Sequence, residues 1–192
     1  EIGVYLNKCD YEKVEELLVE LEKYISLENP INRQYKEQFE AKIKAGYGKL
    51  SNEEAILCFR QILEYTIPFD VLLKDEEKYL TNVEVQCLLN ISICVGKSKE
   101  NIAFDILLDL CKQLEIDEGI SEHIAVWEVI MANVSNIYGD RGVYDQSDAI
   151  GIKTMKEGIH CYRMNLLDML LYINAWNYRE RRKKNIPLQQ GY

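Results

Sequence analysis

The groups able to do covalent chemistry are few and scattered. The chain carries two histidines, His123 and His160, and six cysteines, at positions 9, 58, 87, 94, 111 and 161. His160 adjoins Cys161, but successive residues of a helix point about 100 degrees apart, so the pair makes a poor nucleophile and base. His123 stands alone on a segment shared with Trp127. No cysteines form a CxxC pair, and most sit beside Leu, Ile or Phe, which reads as reduced core thiols. A zinc site needs clustered Cys or His ligands, and none are clustered here. Gly139, Gly142 and Gly151 do not spell a phosphate-binding GxxxxGK[ST] loop. Glu53-Glu54 and Asp75-Glu76-Glu77 read as carboxylates at helix starts, where they oppose the positive end of the macrodipole. The expectation is a protein with no catalytic residues, metal or cofactor, and not an enzyme.

The amide side chains are more informative. Asn90, Asn133 and Asn136 fall on first helices of expected hairpins, and Asn165, Asn174 and Asn177 on the last helix. An amide offers both a donor and an acceptor, so it can hold the backbone of an extended peptide whatever that peptide's sequence. These six are the candidate ligand-binding positions. The competing reading is that they cap helices, satisfy buried backbone or face water.

Helices must position them. Val14, Leu17, Leu18, Leu21 and Ile25 recur at three and four residues and predict a first helix over 10–25, with Asp10 as N-cap. Asn29-Pro30 ends it, and Tyr35, Phe39, Ile43 and Tyr47 mark a second over 31–47. Ser51 with Glu54, and Thr81 with Glu84, form capping boxes opening helices to about Tyr65 and over 82–95. Between them, Pro68 implies a connection with a short helical turn. Further helices are predicted over 99–114, 121–138 and 145–157. A last one runs from Ile159 to Lys184 and bends at Asn174. No period-2 alternation argues for a strand.

Between two of these helices lies a recognisable spacing: Ser135, Tyr138, Gly142, Tyr144 and Ser147. Small residues allow two antiparallel helices to approach, a glycine takes the turn, and aromatics fill the wedge beside the next hairpin. This spacing resembles a tetratricopeptide hairpin. Tyr5, Tyr11 and Val14 repeat its aromatic spacing, and Val14, Ala55, Ala103 and Ser147 occupy its second-helix small position. These lie 41, 48 and 44 residues apart, longer than the usual period of about 34. The predicted fold is therefore all-α: a degenerate tetratricopeptide-like helical repeat array, a right-handed α-solenoid, over residues 1–192 as one regulatory domain. The N-terminal hairpin reads as cut in half, and the chain starts at Glu1 rather than Met, so a longer parent protein is expected.

Charge narrows the partners. The net charge is -9, which disfavours contact with nucleic-acid phosphates. The basic run Arg179-Glu180-Arg181-Arg182-Lys183-Lys184 reads as the solvated, macrodipole-complementing end of the last helix. No apolar stretch is long enough for a membrane span, and the N-terminus lacks a secretory apolar core, so a cytoplasmic protein is expected. Leu166, Leu167, Met169, Leu170, Leu171, Ile173 and Trp176 form an apolar arc broader than one neighbouring hairpin covers. Leu166, Leu170, Ile173 and Trp176 are accordingly candidates for a homodimer interface, with Arg179 to Lys184 at its rim. The competing reading is that this helix closes the chain's own core.

Finally, "YEKVEELLVELEKY" (11–24), "NPINRQYKEQFEAKI" (29–43), "LSNEEAILCFRQILEYTIPFD" (50–70) and "YLTNVEVQCLLNISICV" (79–95) resemble the C-terminal part of Firmicutes transcriptional regulators carrying an N-terminal Xre-type helix-turn-helix. That group is similar in architecture to the Rgg and PlcR regulators. The resemblance implies a sensor domain that binds a peptide or protein ligand in a concave groove and dimerises. It implies DNA contact only through a helix-turn-helix domain absent from this chain. A structural docking module without a small ligand is the alternative.

Overall fold

Helix stop signals do most to shape this chain. The computed structural model describes residues 2–74, 79–96, 100–117, 120–163 and 166–184. Among them every regular element is an α-helix, and no helix is long and apolar enough to cross a membrane. The elements are α1 (Ile2–Asn7), α2 (Tyr11–Leu21), α3 (Pro30–Gly46), α4 (Asn52–Leu63), α5 (Phe69–Leu72), α6 (Asn82–Val95), α7 (Ile102–Asp117), α8 (Ile120–Asp140), α9 (Tyr144–His160) and α10 (Leu167–Lys183). They fall into two compact units, residues 1–95 and 96–192.

In the first unit the caps sit where their side chains indicate. Asp10 accepts from the Lys13 amide at 3.3 Å, and Asn29 from the Ile31 amide at 2.9 Å ahead of Pro30. Both capping boxes close. Glu54 N–H donates to Ser51 Oγ at 3.2 Å, and Ser51 N–H donates to the Glu54 carboxylate at 2.8 Å. The Thr81 and Glu84 pair repeats this at 3.3 and 2.6 Å. Ile2, Val14, Leu18, Phe39 and Ile43 form a core shared by α1, α2 and α3. Farther along, α6 packs on both α3 and α4, and Phe59, Leu63, Leu72 and Leu88 are fully buried.

In the second unit α9 runs antiparallel to α8, since Gly139 meets Ser147 while Glu128 meets Gly158. The chain then turns again, and α10 packs on both α8 and α9. Trp127, Ile130, Leu107 and Leu170 are fully buried. Tyr144, expected in the wedge, is buried and faces α10. Tyr138 is half-buried and meets Phe104 of α7 edge-on, with ring centroids 5.5 Å apart.

Three expectations about the helices need correcting. The first helix ends at Leu21, not Ile25. A short helix, α1, precedes it; six residues are too few to display a 3.6-residue period. The last helix does not begin near Ile159, because α9 continues through His160 and stops there. Tyr162 adopts φ 57°, in the left-handed region, and the Arg163 amide reaches back to the Gly158 carbonyl at 2.7 Å. α10 then runs unbroken through Asn174.

The same left-handed stop follows α1 at Cys9 (φ 57°), α3 at Gly48 (φ 66°), α6 at Gly96 (φ 64°) and α8 at Gly142 (φ 79°). Cys9 and Tyr162 are not glycine, which sequence patterns for helix ends do not anticipate. Replacing the exposed Tyr162 by Gly removes the steric cost of its Cβ and is expected to stabilise the fold by about 0.5–1 kcal/mol. A Cβ on Gly142 would lie 4.0 Å from Lys184 Nζ and Tyr144 Oη, ordinary contact, but Gly142→Ala keeps the positive φ and is expected to cost about 1 kcal/mol. Urea titrations of both variants measure the opposite shifts.

Candidate functional site

The positions singled out for ligand binding divide by environment. Asn90 lies in the first unit and the other five in the second. Asn90 donates to the carbonyl of Gln86, and Asn133 to that of Val129 at 2.8 Å, each one turn back on its own helix. Asn136 is half-buried on α8. Asn165 and the side chain of His123 lie outside the described residues.

Asn174 and Asn177 instead belong to a polar seam where α8, α9 and α10 meet. Ser135 Oγ–H donates to the Ser147 carbonyl at 2.8 Å, and Ser147 Oγ–H donates to the Ser135 carbonyl at 2.6 Å. Two facing serines thus stitch the backbones of α8 and α9 together. Asn177 is fully buried and spends both amide hydrogens on the seam, at 2.7 Å to Ser147 Oγ and 2.7 Å to Asp148 Oδ1. The buried Arg181 then grips Asp148 at 2.8 Å and Asp145 at 2.6 Å, and Lys184 donates to Tyr144 Oη at 2.9 Å. Asn174 Oδ1 is buried against Gly151, where a methyl group would lie 3.1 Å away.

Asn177 is therefore a structural tie whose donors are occupied. The expectation that 179–184 forms a solvated rim fails at Arg181, which is 3% exposed. The spacing 174, 177, 181 places those residues on the same helical face as Leu170, and the helix that arrives opposite buries that face. Acidic partners at Asp145 and Asp148, three apart on α9, completed the pattern.

The candidate dimer positions also separate. Leu170 and Ile173 are 1% and 3% exposed and serve the chain's own core, and Leu166 is half-buried. Trp176, at 37%, belongs to the outward face with Leu171 at 54%, Tyr172 at 66% and Tyr178 at 49%. Arg179 lies over the Trp176 ring at 4.1 Å.

In the first unit, two features were not foreseen. Lys42 of α3 is wedged against α6, donating to Gln86 Oε1 at 2.9 Å and lying 5.6 Å from the Phe39 ring centre. Burial lowers its amine to about 8, with Cys87 of α6 acting in the opposite direction. Burial likewise raises Cys87 and Cys111 to about 12, so neither is a thiolate nucleophile at neutral pH. All six cysteines are free thiols, and no group of His, Cys, Asp or Glu among the described residues is placed to hold a metal.

The second feature is a cleft of about 520 Å³ between α2 and α3. Leu18, Val19 and Ile43 make its apolar floor. Glu22, Lys36 and Glu40 close one end, and Glu15, Lys44 and Lys49 surround the other.

Two outcomes are expected. A Cβ on Gly139 would lie 2.6 Å from Asn177 Oδ1 and 3.3 Å from Ser147 Oγ. Both neighbours are held by hydrogen bonds, so Gly139→Ala should destabilise by about 1–3 kcal/mol in denaturant titrations. For Lys42 the folded amine titrates below the unfolded one, so between pH 8 and about 10.4 the unfolded chain binds more protons. Wild-type stability from this residue therefore rises with pH. Lys42→Met should be more stable at pH 7 by on the order of 1 kcal/mol, with the gap to wild type closing by pH 10.

Comparison with family models, curated proteins and solved structures finds no match.

Proposed function

We propose that this chain is a regulatory and dimerisation domain of a cytoplasmic bacterial transcriptional regulator, built on tetratricopeptide-like hairpins and without catalytic activity of its own. The observation that carries the reading is the α8–α9–α10 seam. A first helix, a glycine turn at Gly142, a second helix and a returning third meet through facing small residues at Ser135 and Ser147. This is the packing that the 135–147 spacing calls for. Hairpins of this kind are used to present helix faces to peptides and proteins. Asn136, half-buried on α8, is the amide we assign to an extended backbone, since Asn90 and Asn133 bond their own helices and Asn177 is committed internally. DNA contact belongs to a separate helix-turn-helix domain, and the ligand acts by binding two states of the dimer differently.

The outward face of α10 supports the dimer. Leu171, Tyr172, Trp176 and Tyr178 are exposed together, and aromatic residues with arginine are typical of interface anchors. The same face favours the second reading, a docking module for another protein with no small ligand.

Sedimentation equilibrium separates the readings. The wild type is expected to dimerise at tens of micromolar, and Tyr172→Glu to give a folded monomer. Leu170→Glu is expected to unfold the chain instead, because Leu170 lies in the core. A wild type that stays monomeric would remove the dimer and leave α10 as a docking surface. The chain alone is expected to give no sequence-specific shift of duplex DNA at physiological salt.

A further inference from the structure

We propose that two copies of this chain pair antiparallel through the outward faces of α10, with Asp168 of each helix meeting Arg179 of the other. The inference rests on the dimer reading above and adds the orientation and register of the contact.

Along α10 the exposed residues Asp168, Tyr172, Ala175, Arg179 and Arg182 recur at steps of four, three, four and three. A 3.5-residue repeat of this kind draws a stripe along one side of a helix, the pattern by which two helices meet over several turns. The stripe lies opposite Leu170, Ile173, Asn177 and Arg181, which are buried in the chain's own core and seam. Leu171 and Tyr178 flank it on one side and Trp176 on the other, all exposed.

Charge on the stripe is polarised. Asp168 is the acidic residue of the first turn, and the ion pairs of α10 among the described residues all lie at its other end. One Asp168 carboxylate oxygen accepts the Met169 amide at 2.8 Å. At the C-terminal end Arg179, Arg182 and Lys183 are exposed beside a single carboxylate, Glu180, which lies 3.6 Å from Arg179 and 2.8 Å from Lys183. Arg181 and Lys184 are engaged inward, with Asp145, Asp148 and Tyr144 of α9. The stripe therefore runs from an acidic start to a basic end.

A parallel pair would set acid on acid and base on base. An antiparallel pair about a twofold axis joins opposite ends twice and opposes the two macrodipoles. Asp168 with Arg179, and Tyr172 with Ala175, are each symmetric about the same point of the helix, between Ile173 and Asn174. One axis thus serves both pairs. At the centre each Tyr172 ring lies over the partner's Ala175, a side chain small enough to receive it. At either end the guanidinium of Arg179, already stacked 4.1 Å from the Trp176 ring, meets a carboxylate that suits its fork of donors.

Sedimentation equilibrium of the intact chain at tens of micromolar reads the pairing. Asp168→Lys alone and Arg179→Glu alone are each expected to weaken self-association by about tenfold or more, since like charges then meet at both ends. An equimolar mixture of the two variants is expected to recover the wild-type dimer. In that mixed pair the altered side chains meet each other and the unaltered ones do the same, opposite in sign both times. Both sites are exposed, so circular dichroism should match the wild type. The wild-type dimer is also expected to weaken as ionic strength rises to about 1 M, a readout that needs no variant. Three results would overturn the pairing while leaving the dimer reading in place. They are a mixture no stronger than its parts, a dimer indifferent to salt and to both variants, and Asp168→Lys binding wild type more tightly than wild type binds itself, the mark of a parallel pair. A monomeric wild type removes the dimer reading itself, and the pairing with it, and leaves the face to a different protein.

Discussion

Close approach of helix backbones is the constraint on which the second unit depends. Ser135 and Ser147 can exchange hydrogen bonds with each other's carbonyls only because neither carries more than a hydroxyl. The adjoining glycines, Gly139, Gly151 and Gly158, keep the contact narrow along the rest of α8 and α9. Once the two helices are that near, their polar atoms are sealed from water and must be satisfied internally. From α10, Asn177 and Arg181 donate to Ser147 and Asp148 of α9, so the third helix is specified by the polar requirements of the first two. Apolar burial by Leu170 and Ile173 drives α10 onto the hairpin, while the amide and guanidinium fix its register.

The first unit solves a related problem with different chemistry. Gln34 is buried and donates to the Ile62 and Leu63 carbonyls at 3.1 and 3.2 Å and to Thr66 at 2.7 Å, tying down the buried C-terminal end of α4. One turn on, Gln38 is buried as well, and another turn brings Lys42 to Gln86. α3 thus turns a polar stripe toward its neighbours, and the amine at its end sits uneasily enough to titrate near 8.

Much of this could be read from residue order. The capping boxes at Ser51 and Thr81, the Asn29-Pro30 start and the Gly142 turn are local chemistry, decided by residues within a few positions of each other. The Ser135–Ser147 contact was legible because its partners are tied by a turn of fixed length. The stop at Tyr162 was not, since a tyrosine gives no hint of a left-handed backbone. The burial of Arg181 and Asn177 was also hidden. Whether a polar side chain on a helix meets water or an aspartate depends on which helix arrives opposite, and that is a tertiary fact. The same limit applied to α10, where the apolar arc was visible but its division into an inner face at Leu170 and an outer one at Tyr172 was not.

The seam has a consequence for how such a chain can vary over evolutionary time. Its geometric demand falls on a handful of sites that must stay small, and its polar demand on a few residues that must exchange together. Asn177 cannot drift without Asp148, nor Asp148 without Arg181. A lineage under these rules would retain its backbone while its letters turned over, leaving paired substitutions at 148 and 181 as the durable trace of common descent.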